Sequence, residues 1–278
     1  MSSAEKYFTY TPVNVAPQVA ASVFFIVAIV SIIQVIRARS ALWMFILAGT
    51  AIAKSVGYVL RAVCISNASL GIYIGMTLFL LVSPNALALY NYRIVGVIAR
   101  QSAVADVRAL MRPKFITRGF FISDVFSFLL QSAGGGMMAT ESMAKTGKYI
   151  CIFGLAVQLL FLTAFTWITI LIMKDRRYKV LPGPHDADGR SAKQRLFVVV
   201  IVTTVLIFVR SIYRLIEFVD GYGGKIYGAE WAFYVFDMAM ILSIFLIYIV
   251  VYVGYHFPRD KKQSNEYLMH SYSQSIGE

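Results

Sequence analysis

The chain has 278 residues, 59% of them hydrophobic and 14% charged, with a mean hydropathy of +0.69. A soluble domain carries roughly a quarter charged residues, so this composition excludes one and describes an integral membrane protein. The net charge of +12 sits in short connections beside apolar stretches, without a basic helix or an aromatic module. That pattern points to anionic lipid head groups at the cytosolic face rather than to nucleic acid.

About 20 apolar residues are needed to cross a bilayer as a helix. Such windows fall near 17–37, 41–63, 70–92, 116–139, 148–173, 196–219 and 229–255. Lipid leaves backbone polar groups no partner outside the chain, and nothing alternates like a barrel strand. The predicted fold class is therefore all-α: a polytopic membrane protein with a seven-transmembrane-helix bundle over 17–258, an extracellular segment at 1–16 and a cytosolic tail at 259–278. No basic region precedes the first apolar stretch and no small-residue cleavage site follows it, so it reads as a retained span rather than a signal peptide.

Basic residues in alternate connections set the expected orientation. One side holds Arg37, Arg39, six residues from Arg93 to Arg118, seven from Lys174 to Arg195, and Arg259, Lys261 and Lys262, which makes 18. The other holds only Lys6, Lys145, Lys148 and Lys225. The positive-inside rule then places the N-terminus outside and the C-terminus in the cytosol.

In chain order, the second stretch carries Lys54 and Arg61, and a glycosylation sequon follows it at Asn67-Ala68-Ser69, in a loop assigned to the outside. Pro84 lies inside the third stretch and removes a backbone bond, which predicts a kink. The fourth carries Asp124 and Gln131, and near its end Ser132-Ala133-Gly134-Gly135-Gly136 permits either close helix approach or a frayed terminus. The sixth carries Arg210, Arg214 and Glu217, and the seventh carries Asp237. Cys64 and Cys151 both fall near the outer ends of their stretches, where a disulfide and two buried free thiols are alternative readings.

An ionisable group at a helix centre costs on the order of 2.5 to 3.5 kcal/mol on insertion scales and persists only where it is paired, hydrated or used. Lys54 and Arg61 are seven apart, as are Asp124 and Gln131, so each pair shares a helix face. Arg210, Arg214 and Glu217 form one stripe, and all three stripes should face the bundle interior. Two readings stand. The cluster is either a set of internal ion pairs fixing helix packing, or a hydrated cavity opening toward the outer leaflet that holds a polar head group. Asp220 and Glu230 would add negative charge at its mouth. Most of the aromatic residues near the outer ends, Tyr58 and Tyr213 among them, read as interfacial belt residues, and a few would line the cavity.

Three sets of residues limit the chemistry. The histidines, His185, His256 and His270, lie in a loop, at the end of the last stretch and in the tail, and no HxxxH or CxxC occurs, so no metal or other cofactor is expected. The seventh stretch has no lysine for a retinal Schiff base. No P-loop is present, so ATP hydrolysis by this chain is not expected.

With these motifs in order, the chain resembles the fungal RTA-like family, also called lipid-translocating exporters. The resemblance is carried by Ser55-Val56-Gly57-Tyr58-Val59-Leu60-Arg61, Ser83-Pro84-Asn85-Ala86 to Tyr90, and Asp124-Val125-Phe126-Ser127-Phe128-Leu129-Leu130-Gln131 through Gly136. Its longest run is Arg210-Ser211-Ile212-Tyr213-Arg214-Leu215-Ile216-Glu217-Phe218, continuing through Gly221, Glu230 and Tyr234 to Asp237. One departure stands out: the family usually carries an acid where this chain has Lys54, a sign reversal that either changes the ligand or exchanges pairing with Asp124.

The resemblance implies a seven-helix protein of the plasma membrane or other fungal membranes, linked to movement of, or resistance to, amphipathic lipids such as sphingoid bases. The expected function is binding and export or translocation of amphipathic lipids, without enzymatic activity. The expected ligand-binding set is Lys54, Tyr58, Arg61, Asp124, Gln131, Arg210, Tyr213, Arg214, Glu217, Glu230 and Asp237. The alternative is a seven-helix receptor that senses lipids and signals to cytosolic partners through the basic loops.

Overall fold

The computed structural model describes residues 15–67, 69–101, 115–138, 141–175, 177–178, 189–220 and 230–255. The expected cytosolic tail, most of the expected N-terminal segment and all three histidines lie outside these. The described residues are helical, with no strand among them: α1 (Val15–Arg37), α2 (Phe45–Ser66), α3 (Leu70–Gln101), α4 (Phe120–Met138), α5 (Ala144–Lys174) and α6 (Gly189–Asp220). A seventh segment joins a short α7 (Glu230–Phe233), a π-helical stretch (Tyr234–Ala239) and α8 (Met240–Val250).

Six of these are long and apolar enough to cross a membrane: Val15–Arg37, Leu42–Ser66, Leu70–Arg100, Ala144–Lys174, Lys193–Asp220 and Trp231–Tyr255. The chain is thus a multi-pass integral membrane protein. The stretch expected near 116–139 is helical too, entered through a π-helical turn at Phe115–Gly119. It falls short of the same apolarity because Ser123, Asp124, Ser127, Gln131, Ser132 and its three glycines dilute it. Helix α3 runs through Pro84 without interruption.

The connections are built from local chemistry. At the end of α1, Arg39 takes φ 48°, the left-handed position usually given to glycine, while Ser40 N–H donates to the Val35 carbonyl at 3.1 Å and closes a Schellman-type turn. Ser69 Oγ accepts the Ile72 N–H at 3.3 Å and caps α3. Beyond α5, hydrogen bonds from the Arg177 guanidinium and backbone N–H hold the Asp175 carboxyl below the ordinary carboxylate range. The Asp175 carbonyl accepts Lys193 Nζ at 2.8 Å, tying that end to α6.

Consecutive helices pack on one another, α8 closes the bundle against α6 and α1, and α3 runs through the middle, touching α2, α4, α5 and α6. Lipid tails are as apolar as leucine, so association rests on close packing and interhelical hydrogen bonds. Both are present. Ala20, Ala21 and Ala28 form a buried small-residue face on α1, and Ser55 Oγ of α2 donates to the Ala21 carbonyl at 2.9 Å. Gln34 of α1 donates to the Ile249 carbonyl of α8 at 2.9 Å.

The tightest approach joins α4 to α5. A Cβ added at Gly134 would stand 2.6 Å from both Cys151 Sγ and the Gly147 carbonyl, and one added at Gly147 would stand 2.5 Å from the Gly134 carbonyl. Gly135 and Gly136 would meet nothing within 4 Å. Of the two readings of this glycine run, close approach therefore holds for Gly134 alone. The same packing bears on the cysteines. Cys151 is buried against α4, its thiol donating to the Gln131 carbonyl at 3.4 Å, while Cys64 is buried on α2. Both are free, so of the two readings the structure shows two buried thiols, on α2 and α5.

Because backbone stands opposite both positions, Gly134→Ala and Gly147→Ala are each expected to cost about 1–3 kcal/mol. Gly135→Ala should be neutral or stabilising by up to about 1 kcal/mol, since it only gains helix propensity. Thermal melts of the three purified variants in one detergent check the contrast.

Candidate functional site

The buried charges gather where α2 and α6 end and the seventh segment begins. Asp237 is the centre. Its Oδ2 accepts Lys54 Nζ of α2 at 2.6 Å, and its Oδ1 accepts Arg210 of α6 through Nε at 3.0 Å and Nη2 at 2.8 Å. Side-chain exposure is 0% for Lys54 and 1% for both Arg210 and Asp237. One carboxylate thus joins three helical segments. Its position is set by the π-helical stretch Tyr234–Ala239, a local widening of helical register that contains neither proline nor glycine and is common at functional sites.

A second pair lies further along α6. Arg214 Nη1 donates to Glu217 Oε2 at 2.7 Å, one turn on. The i, i+4, i+7 stripe of α6 is thus split, with Arg210 leaving the helix to meet Asp237 and Arg214 staying within it. Arg61, on the same face of α2 as Lys54, lays its guanidinium 4.5 Å from the Phe233 ring centroid and 5.7 Å from that of Tyr234. Such cation–π contacts gain strength when water is excluded.

Aromatic rings wall the cluster. Tyr58 stacks on Phe24 at 5.7 Å and meets Phe233 edge-on at 6.5 Å, and Lys54 Nζ lies 5.6 Å from the Tyr58 centroid. Tyr213 stacks on Phe236 at 4.9 Å. The Tyr58 hydroxyl is fully buried and makes no hydrogen bond. An orphaned buried hydroxyl beside a charged triad is a vacant donor and acceptor.

The structure therefore brings together Lys54, Tyr58, Arg61, Arg210, Tyr213, Arg214, Glu217 and Asp237. Glu230 opens α7, and its side chain lies outside the described residues. Asp124 and Gln131 belong elsewhere. Lys54 takes Asp237 as partner, so the exchange of pairing with Asp124 does not occur: Asp124 lies on α4, facing α3. The Tyr92 hydroxyl of α3 interacts with its carboxyl.

Gln131 joins an amide relay that a search for charges passes over. Its Nε2 donates to Gln158 Oε1 at 2.9 Å, and Gln158 Nε2 donates to Asn85 Oδ1 at 2.7 Å, linking α4, α5 and α3. A second uncharged network lies toward the opposite end. Asn91 Nδ2 of α3 donates to Thr204 Oγ1 of α6 at 3.0 Å, and Asn91 Oδ1 accepts the Tyr248 hydroxyl of α8. Tyr90 packs edge-on against Tyr248 at 4.9 Å, and Trp43 lies against Tyr90 at 5.3 Å. Both networks were open to detection as isolated polar residues within apolar runs. Their charge-neutral side chains simply give a weaker signal than a charge in lipid.

The bundle thus has a charged, aromatic-walled cluster toward one end and a neutral, hydrogen-bonded closure toward the other. No group of histidine, cysteine or carboxylate side chains that could hold a metal occurs among the described residues. The cluster can pair with charge and offer hydrogen bonds to a polar group.

Comparison with known proteins adds a lineage. A family model described as RTA1 like protein matches residues 45–260, a range that includes α2 to α8 and every charge in the cluster. Among curated relatives, Protein RTA1 of Saccharomyces cerevisiae is 35% identical over 65% of this chain and 56% of its own length. Protoporphyrin uptake protein 1 of the same yeast is 33% identical over 72% of this chain and 65% of its own. A protein of Emericella nidulans named as a probable lipid transporter, atnI, is 25% identical over 86% of this chain and 65% of its own. The chain spans less than two thirds of the length of these relatives. No solved structure matches it.

Asp237 balances two cations, so removing it strands both as buried charges. Asp237→Asn is expected to cost about 3–5 kcal/mol, whereas Lys54→Met leaves Arg210 and Asp237 as a matched pair and should cost far less. Chemical or thermal unfolding of the two variants, followed by tryptophan fluorescence, checks the order. Equal losses would mean that the triad is not shared as described.

Proposed function

This chain belongs to the RTA1-like protein family, and from that premise we propose that it binds and translocates amphipathic lipids, or confers resistance to toxic lipophiles, across the plasma membrane. The observation that carries the reading is the Lys54–Asp237–Arg210 triad, two cations on one carboxylate inside membrane-spanning segments, with the Tyr58 hydroxyl unpartnered beside it. Burying ions costs several kcal/mol each, and apolar replacements of a buried pair are often no less stable, so stability alone is a weak reason to keep such a group. A ligand head group with polar and charged atoms supplies a better one.

In this reading the N-terminus is outside, the cluster lies in the outer half of the bilayer, and the head group enters beside Tyr58 and Arg61 while the apolar body stays among the helices. The Asn91–Thr204–Tyr248 network closes the cytosolic half. Movement follows a gradient or a coupled ion rather than ATP, and no bond of the lipid is made or broken. The name of the Emericella relative agrees with lipid as cargo, and that of the yeast porphyrin relative agrees with an amphipath carrying charge at one end.

The test is reconstitution in liposomes with a fluorescent long-chain base or phospholipid in one leaflet. Protein-dependent loss of asymmetry is expected, and Arg214→Ala or Glu217→Ala, shown to be folded, should abolish it. Binding without movement would favour a lipid-sensing receptor.

A further inference from the structure

Between α3 and α4 lies a crevice of about 160 Å³, set apart from the charge cluster and lined by Asn85, Leu89, Phe121, Asp124, Val125 and Phe128 among others. Asp124 is 2% exposed, and neither of its carboxyl oxygens has a hydrogen-bond partner. Buried polar groups are nearly always partnered, so such a group asks for an explanation. Behind it, Tyr92 is fixed by rings, with Phe165 at 4.5 Å and Phe120 at 5.6 Å. Its hydroxyl has a single hydrogen to give, which leaves at least one oxygen of Asp124, a residue that lines the crevice, without that donor. The cations Lys54, Arg210 and Arg214 are engaged by Asp237 and Glu217.

The remaining wall is apolar, and the rim residues Phe121 and Val125 are 40% and 38% exposed. The mouth therefore faces the side of the bundle, where acyl chains lie. Asn85 adds an amide at the wall, its Oδ1 already accepting Gln158. The volume equals about five waters of liquid, enough for a polar group and its first few carbons.

We propose that this crevice is a second binding site, taking a membrane-dissolved lipophile whose polar end, a hydroxyl or an ammonium, donates hydrogen bonds to Asp124. The carboxyl supplies acceptors, the rings and Leu89 hold the first carbons, and the rest of the chain lies along the outside of α3 and α4. A lipophile ending in a carboxylate brings only acceptors and is rejected. The site does not depend on the charge cluster or on what moves through it.

The experiment uses the full chain in nanodiscs with two photoreactive dodecyl probes, one an alcohol and one an amine, and maps the adducts by mass spectrometry. Adducts are expected on residues 82–89 and 121–128, competed by dodecanol or dodecylamine but not by dodecane or laurate. Labelling by the alcohol alone assigns a neutral hydroxyl ligand, and labelling by the amine alone or by both assigns a site that takes the cation.

Two variants test the assignment. Asp124→Leu removes the acceptor, and Ala86→Trp fills the crevice while leaving the carboxyl in place. Each should cut labelling about tenfold, the loss expected for one strong hydrogen-bonded contact. Asp124→Leu removes an unpartnered polar group and should not lower the melting temperature, which separates lost binding from unfolding. Adducts spread evenly around the bundle, labelling that survives both variants, or equal competition by laurate would overturn the proposal, the first meaning that the crevice holds water or nothing but bulk lipid.

Discussion

One carboxylate organises the interior of this bundle. Asp237 gives one oxygen to Lys54 on α2 and the other to Arg210 on α6, and all three side chains are sealed from solvent. Three charges in that setting are tolerable only together. The geometry therefore fixes the relative positions of α2, α6 and the seventh segment more sharply than apolar packing could, because leucine against lipid and leucine against leucine differ little in energy. The π-helical stretch around Asp237 follows from the same constraint, since a change of register places the carboxyl where both cations reach it.

The rest of the bundle divides the remaining work between shape and neutral polarity. On one side, Gly134 and Gly147 bring the backbones of α4 and α5 close together, and Gln131, Gln158 and Asn85 carry hydrogen bonds from α4 through α5 to the central α3. Toward the other end, Asn91, Thr204 and Tyr248 close α3, α6 and α8 under a layer of aromatic rings. Interhelical hydrogen bonds of this kind average about 0.6 kcal/mol each, so they act by number and by register. Asp124 stands outside this scheme. Among the described residues it is an acid with no cation as partner, and it lines a side crevice rather than the charged interior.

Much of this was legible from particular residues. Lys54 and Arg61 share a face because seven residues make nearly two turns, and both are buried as that spacing requires. The Arg210, Arg214 and Glu217 stripe is likewise turned inward. The partners were harder. Nothing in the spacing of Lys54 distinguishes Asp124 from Asp237, since both lie at workable depths on other helices. Gly134 could not be told from Gly135 and Gly136, because their packing depends on rotation of α4 about its axis. The fourth stretch was counted as apolar from its phenylalanines and leucines, although Ser123, Asp124, Ser127, Gln131, Ser132 and three glycines dilute it along its own length.

The amino-acid sequence by itself determined the solvent, the helical class and the faces that carry charge. These follow from hydropathy and from a period of 3.6 residues, both properties of a single segment. Tertiary structure alone decided which cation met which acid, which glycine was a contact, that the two thiols stay apart and that Asp124 was left at a crevice. Each of those depends on the rotation and neighbour of a helix, and in lipid these are set by interhelical contact rather than by the apolar content of any one span.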